Sequence, residues 1–225
     1  MKKSIIIPVY NEEGNIGNLI NKILSNIEPT DELIIVNDGS TDGTRKEIQN
    51  SRCLTINFNK NEGKGSAMKA GLEIATGEVI IFMGGDGQDD PNEIINLLTG
   101  IASGYDYVIG SRFIEFDNKK RFSSKAVMPI NLFGNKALTS LINLLFGQNI
   151  TDSQSEFKCF KSNKLQELDI ESNGYEIETE LLIKSFRKGF KIKEVPVHRY
   201  ERKYGKSNLF DVPFGRFLFG LKVLK

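Results

Sequence analysis

Five consecutive polar or glycine positions, Asp86-Gly87-Gln88-Asp89-Asp90, follow closely on an apolar run at residues 78–83 (EVIIFM). Carboxylate and amide oxygens are hard ligands, suited to Mg²⁺ or Mn²⁺ bridging to a nucleoside diphosphate. Their plainer role is one capping aspartate with solvated neighbours. Two other apolar runs end in similar polar segments: residues 4–9 (SIIIPV) run into Tyr10-Asn11-Glu12-Glu13, and residues 32–36 (ELIIV) into Asn37-Asp38-Gly39-Ser40. Asp38 is either part of a tight turn or a carboxylate that accepts a nucleobase N–H. The stretch Asn61-Glu62-Gly63-Lys64-Gly65-Ser66 looks like a phosphate loop but lacks the G-x-x-x-x-G-K-[ST] spacing, which argues against an NTPase. Lys64 at a helix start could still hold a diphosphate, since helix dipole and ammonium both favour anions there.

A folded frame must position these segments. The chain has 225 residues, enough for one large domain with a sizeable core, and its 39% hydrophobic and 26% charged residues are ordinary for a globular protein. Cys53 and Cys159 lie far apart in sequence, which suggests neither a disulfide framework nor a zinc site and points to a reducing, cytosolic compartment. His198 is the single histidine, so a multi-histidine metal site is excluded and a Ser-His-Asp triad could run only through it. No window of 18 uninterrupted apolar residues suggests a membrane span, and MKKSIIIPVYNEE lacks the cleavage site of a signal peptide. The net charge of +1 divides unevenly: residues 1–111 carry −7 and residues 112–225 carry +8. That is either chance with solvated faces, or a basic half that meets a phosphate or an acidic membrane surface.

Hydrophobic periodicity supplies the elements. The runs at 4–9, 32–36, 54–58, 78–83 and 105–110 read as strands, and those at 157–160 and 191–197 as two more. Ile16, Leu19, Ile20, Ile23, Leu24 and Ile27 have the offsets of one helix face. Further helices are predicted from about 41, over 64–75, from Pro91, over 126–146 and over 177–188. For the helix at Pro91, Asp90 is the cap, Glu93 stands where a capping-box acid would, and Ile94, Ile95, Leu98 and Ile101 form the buried face. Alternating strands and helices imply an α/β layer fold, in which ligands collect at the carboxyl ends of the strands. The polar segments after residues 9, 36 and 83 all lie at that edge.

The order of IIIPVYNEEGNI, IIVNDGSTDGT, NEGKGSAMKAG, VIIFMGGDGQDDP and VIGSRF closely resembles the inverting glycosyltransferases of the GT-A fold (family 2). The branch is that of dolichyl-phosphate mannose synthase and the polyprenyl-phosphate glycosyltransferases. The resemblance continues through DSQSEFKCFK, GYEIETELL, IKEVPV and RYERKYGKSNL, nearly the whole chain. It implies a Rossmann-like, mostly parallel sheet flanked by helices, with a GT-A domain over residues 1–208 and an amphipathic C-terminal segment over 209–225. It implies donor-nucleotide contacts at Pro8, Tyr10, Glu12 and Asp38, and a divalent cation, Mg²⁺ or Mn²⁺, on Asp86 and Gln88. Arg112, with Arg121 and Ser124, would hold the acceptor phosphate; the segment with Arg202, Gly205 and Ser207 would close over the diphosphate. Asp86, Arg112 and Arg202 are thereby the residues expected to carry catalysis.

Two positions depart from the family pattern. Asn208 stands where a lysine is common after the serine. Gly84 replaces the first acid of the D-x-D motif, so a hard cation has one fewer carboxylate and should bind more weakly. Gly84→Asp would restore it and tighten metal binding; the competing account is that Gly84 makes room for a larger donor or another metal geometry, in which case the new carboxylate clashes.

Mechanism favours the acceptor that the resemblance implies. A sugar hydroxyl needs a general base, whereas a lipid phosphate, with a second pKa of about 6, is largely dianionic at neutral pH and attacks directly. Asp152 and Glu156 could serve a hydroxyl acceptor as base, or be a cap and a surface charge. The reading is transfer of a sugar from a GDP- or UDP-linked donor to a polyprenyl phosphate, with inversion. The alternatives are a saccharide-hydroxyl acceptor, or a nucleotide-sugar-binding protein without turnover. Phe214, Phe217, Leu218, Leu221 and Leu224 share one face with Arg216, Lys222 and Lys225 nearby, a segment that either docks on the core or lies on an anionic bilayer. A peripheral position on the cytoplasmic membrane face is expected, with a homo-oligomer possible and no nucleic-acid partner.

Overall fold

The structure is a computed structural model that describes residues 1–49, 52–114 and 129–205, with side chains from 132 onward in the last of these. Among the described residues seven strands form one sheet: β1 (Lys3–Val9), β2 (Glu32–Asn37), β3 (Cys53–Asn57), β4 (Val79–Phe82), β5 (Tyr107–Ser111), β6 (Lys158–Lys161) and β7 (Ile192–Pro196), in the order β3-β2-β1-β4-β6-β5-β7. All neighbours pair in parallel except at β6, which runs antiparallel to both β4 and β5. The helices are α1 (Ile16–Leu24), α2 (Thr44–Glu47), α3 (Lys64–Ile74), α4 (Ile94–Ala102), α5 (Pro129–Phe146), α6 (Ser162–Leu165) and α7 (Ile177–Arg187).

The near-continuous apolar strands are explained by burial on both faces. Alternate residues of β1 divide between two cores. Ile5, Ile7 and Val9 pack with Ile16, Ile20 and Ile23 of α1 and Leu97 and Ile101 of α4. Ile6 packs on the other face with Met68 of α3, Leu138 and Ile142 of α5, and Leu181 of α7. This is the mostly parallel, helix-flanked sheet expected from the sequence.

Helix α4 differs from expectation in its start and at one position of its buried face. Pro91–Glu93 forms a 3₁₀ turn, with Asp90 accepting a hydrogen bond from the Asn92 N–H at 3.0 Å. Ile94, Leu97 and Ile101 are buried and Leu98 is partly buried, the regular spacing of one helix face, whereas Ile95, expected inside, stands one position off that face and is 62% exposed. The Glu93 carboxylate accepts from the His198 N–H at 2.7 Å and pairs with His198 Nδ1 at 2.6 Å. The helix expected from about residue 41 is the single turn α2. The predicted amphipathic segment 209–225 lies outside the described residues.

Candidate active site

Three strand ends open into loops that are tied to one another. Asn11 has a positive φ of 55°, which an asparagine tolerates better than most residues. Its Oδ1 accepts from the Thr41 N–H at 2.8 Å, and its N–H donates to Ser40 Oγ at 3.0 Å. The Asp38 N–H donates to Val9 O at 2.8 Å, setting Asp38 beside the β1 end that carries Pro8, Tyr10 and Glu12. Asp38 is buried, and its two carboxylate oxygens accept from the Glu62 and Gly63 N–H groups at 2.6 and 3.0 Å. Burial raises its pKa, and these amide bonds oppose the rise. Asp38 therefore holds the loop that delivers Lys64, a task its sequence did not reveal.

The acidic motif after β4 is already matched by arginine. Arg199, 6% exposed, donates through Nη1 to Asp89 Oδ1 at 2.9 Å and through Nη2 to Asp86 Oδ2 at 2.9 Å and Gln88 Oε1 at 3.0 Å. Backbone pairing fixes this approach: Asp89 bridges Arg199, and the Tyr200 N–H donates to Gln88 O at 2.8 Å. Gln88, expected to ligate metal, thus turns its oxygen to Arg199 and donates its amide to Tyr200 O at 2.8 Å. Arg202 reaches the other side, 2.5 Å from Glu12 Oε2 and 3.9 Å from Asp86 Oδ2. Two arginines and the loops after β1 and β4 so form one polar cluster at the carboxyl edge.

Glu12 within that cluster has its carboxyl pushed up to about 7, by burial that outweighs the opposing effect of Arg202. A folded-state pKa above the ordinary 4.5 means that the native state keeps a proton the unfolded chain has lost between those values. Stability should therefore decline as pH rises from about 4.5 to 7 and level off above that window. Glu12→Gln should lack this component in a comparison of melting temperature against pH. Parallel curves for the two proteins would contradict the assignment.

Antiparallel β6 brings a second set of charges to the same edge. Lys64, at the first position of α3, pairs with Glu178 at 2.5 Å and with Glu156 at 3.2 Å. Glu178 also holds the fully buried Lys158. Lys64, expected to hold a diphosphate, thus sits among carboxylates beside the motif. A Cβ on Gly84 would meet Glu156 Oε2 at 2.9 Å, Asp86 Oδ1 at 3.4 Å and Asp89 Oδ2 at 3.6 Å. Gly84 does lie within the acidic cluster, but a side chain added there meets Glu156. Among the described residues, no three histidine, cysteine or acidic side chains are placed to hold a metal ion by themselves. A hard cation there would need phosphate oxygens to complete its shell: Asp86 and Asp89 face one small space, and Asp89 Oδ2 is buried without a hydrogen-bond partner.

Arg112 directly follows β5 and is 5% exposed. Its Nε and Nη2 donate to Asp152 at 2.6 and 2.7 Å, and its backbone N–H donates to the same carboxylate at 3.1 Å. Asp152 is in turn placed by Glu194, which accepts from the Asp152 N–H at 2.9 Å and the Thr151 N–H at 2.8 Å. Arg112 thus already has a counter-ion, although its charge still interacts with Glu156 and Arg199. Arg121, Ser124 and Ser207 lie outside the described residues; Gly205 is described, with a positive φ of 70°. Arg199 is the residue that sequence reasoning missed. The one signal for it was the basic spacing in RYERK, three residues before Arg202.

Fold and site together define an α/β protein with a cluster of acidic side chains and arginines at the carboxyl edge of its sheet. Residues 4–169 match the glycosyl transferase family 2, and the chain belongs to that family. It is 30% identical to the UDP-N-acetylglucosamine–dolichyl-phosphate N-acetylglucosaminyltransferase of Methanococcus voltae, over 98% of this chain and 95% of that one. It is 26% identical to the polyprenol monophosphomannose synthase of Mycolicibacterium smegmatis, over 91% of this chain and 80% of that one. Glucosyl-3-phosphoglycerate synthase from Mycobacterium tuberculosis, solved with Mn²⁺, UDP-glucose and phosphoglyceric acid, has the same fold, with a TM-score of 0.79 and 19% identity. That likeness covers 99% of this chain and 79% of the other. The protein is a glycosyltransferase with the GT-A fold.

Proposed function

We propose that the protein transfers one sugar from a nucleotide sugar, GDP- or UDP-linked, to a polyprenyl phosphate with inversion at the anomeric carbon. The observation that carries the acceptor class is the near full-length similarity to two enzymes named for dolichyl-phosphate and polyprenol phosphate chemistry. The geometry supports it in one respect. Of the two carboxylates available as a base for a hydroxyl acceptor, Asp152 is locked against Arg112 and buried, and Glu156 faces Lys64. A phosphate acceptor needs no such base.

In this reading Pro8, Tyr10, Glu12 and Asp38 shape the nucleotide pocket, with Lys64, Arg202 and Ser207 directed at the diphosphate. Arg112, Arg121 and Ser124 hold the acceptor phosphate. Mg²⁺ or Mn²⁺ would be held by Asp86, with Gln88 joining only on release from Arg199, and would neutralise charge on the departing diphosphate. Arg202 and Arg199 supply protein-borne positive charge at the same place.

A membrane-surface position suits a lipid acceptor. Among the described residues no helix is long and apolar enough to cross a membrane. Helix α5 exposes Phe133 and Leu144, 69% and 80% accessible, eleven residues apart and so on nearly one face, with Lys136 beside them. Such a face, peripheral on the cytoplasmic side, would rest at the headgroup level.

A panel of radiolabelled UDP- and GDP-sugars against polyprenyl phosphate and soluble saccharides tests the reading. Label should enter the organic phase only with polyprenyl phosphate. Label confined to soluble acceptors would favour a hydroxyl-acceptor enzyme. For the donor pocket, Asp38→Ala should weaken nucleotide binding, because it removes the acceptor of two loop amides and of a base N–H, at about 1–3 kcal/mol. Unchanged affinity by calorimetry would remove Asp38 from the pocket.

A further inference from the structure

We infer that Glu156 supplies the carboxylate that Gly84 lacks, so that the acid of the cation site has changed strands. Strand register brings the two positions together. In the antiparallel β4–β6 pair, Val79 lies opposite Lys161, Ile80 opposite Phe160, Ile81 opposite Cys159 and Phe82 opposite Lys158. The ladder ends at Phe82 and Lys158, and continued by two residues that register would set Gly84 across from Glu156. Directly opposed residues of antiparallel strands project on the same face with Cβ atoms about 4.5–5.5 Å apart. A short chain on one strand and a longer one on the other can therefore present a carboxylate to the same point.

The side chains agree with the register. Glu156 Oε2 lies 2.9 Å from where a Gly84 Cβ would stand, so a side chain at 84 would displace the tip of the glutamate. Its carboxylate fills the volume that an aspartate at 84 would use, beside Asp86 Oδ1 and the buried, unpartnered Asp89 Oδ2. Lys64, 3.2 Å from Glu156, holds it in place. The missing side chain at 84 thus makes room for the glutamate, and the two positions form one unit. This rests on the proposed diphosphate-bearing donor, whose cation the relocated carboxylate would help to hold.

The test is Mn²⁺ binding by the full chain, followed by electron paramagnetic resonance, alone and with UDP. Glu156→Gln should weaken Mn²⁺ binding about tenfold or more, a loss typical of removing a group that supports a metal site. Gly84→Asp alone should not tighten it, because two carboxylates would compete for one volume. The double exchange, Gly84→Asp with Glu156→Gly, should return the affinity to within about threefold of the parent, a residual below ~1 kcal/mol. Thermal melting of each variant reports folding independently. Unchanged Mn²⁺ affinity in Glu156→Gln, or a Gly84→Asp variant that binds Mn²⁺ more tightly than the parent, would overturn the inference. Metal-free UDP and GDP calorimetry separates the two ideas: failure to bind either nucleotide would count against the donor reading, while Mn²⁺ binding without nucleotide still decides the role of Glu156.

Discussion

Arg112→Ala is expected to destabilise the fold by about 3–5 kcal/mol, because it leaves the Asp152 carboxylate buried without its counter-ion. Asp152 is 1% exposed and meets the guanidinium through two side-chain hydrogen bonds, so no water can replace the loss cheaply. Denaturant unfolding measures the effect, and the Arg112→Ala, Asp152→Ala double variant should recover part of it. On activity, the folded fraction should show a KM for lipid phosphate raised far more than the KM for donor. Arg112→Lys, which keeps charge but not the paired geometry, should be intermediate in both respects. A KM effect confined to the donor would mean that the acceptor and donor pockets have been exchanged.

Loss of the Asp86 carboxylate should have the largest effect on catalysis. Asp86 touches Arg199 directly, faces Arg202, and presents its second oxygen toward the space at Gly84. Removing it takes away the proposed metal ligand and unsettles both arginines proposed to face the diphosphate. Asp86→Ala should abolish measurable turnover, a fall of about 10²–10³ or more in kcat, on the scale of losing a principal electrostatic group. Asp86→Asn retains volume and hydrogen bonding, so a near-normal melting temperature with lost turnover would separate chemistry from folding. Substantial turnover in both variants would remove Asp86 from the mechanism.

Much of the architecture was legible because burial imposes periodicity. Ile16, Leu19, Ile20 and Ile23 line the core along one face of α1, and the β-branched runs became strands buried on both sides. Ile95 faces outward in α4 because Ile94, Leu97, Leu98 and Ile101 already take the i, i+3, i+4 and i+7 positions of the buried face, and a run of adjacent apolar residues hides which of them lies inside. The direction of β6 was also hidden, since a short apolar run reads alike in parallel and antiparallel settings. That direction matters most, because it carries Glu156 to the edge where the three parallel loops meet. Local motifs located the loops after β1, β2 and β4, and resemblance supplied roles for Asp86 and Arg202. Arg199 lies 113 residues from Asp86, and such a partnership exists only in the folded chain.

The proposed direct attack by a lipid phosphate on the anomeric carbon of the donor sugar would fix both the bond formed and its stereochemistry. Proton and phosphorus NMR reads both, in product extracted into organic solvent after incubation with an α-linked nucleotide sugar and polyprenyl phosphate. The expected product is a glycosyl phosphate of the lipid, with the anomeric carbon bonded to phosphate oxygen and the linkage inverted to β. A retained α-linkage, or sugar recovered only as free sugar or on water-soluble acceptors, would contradict it.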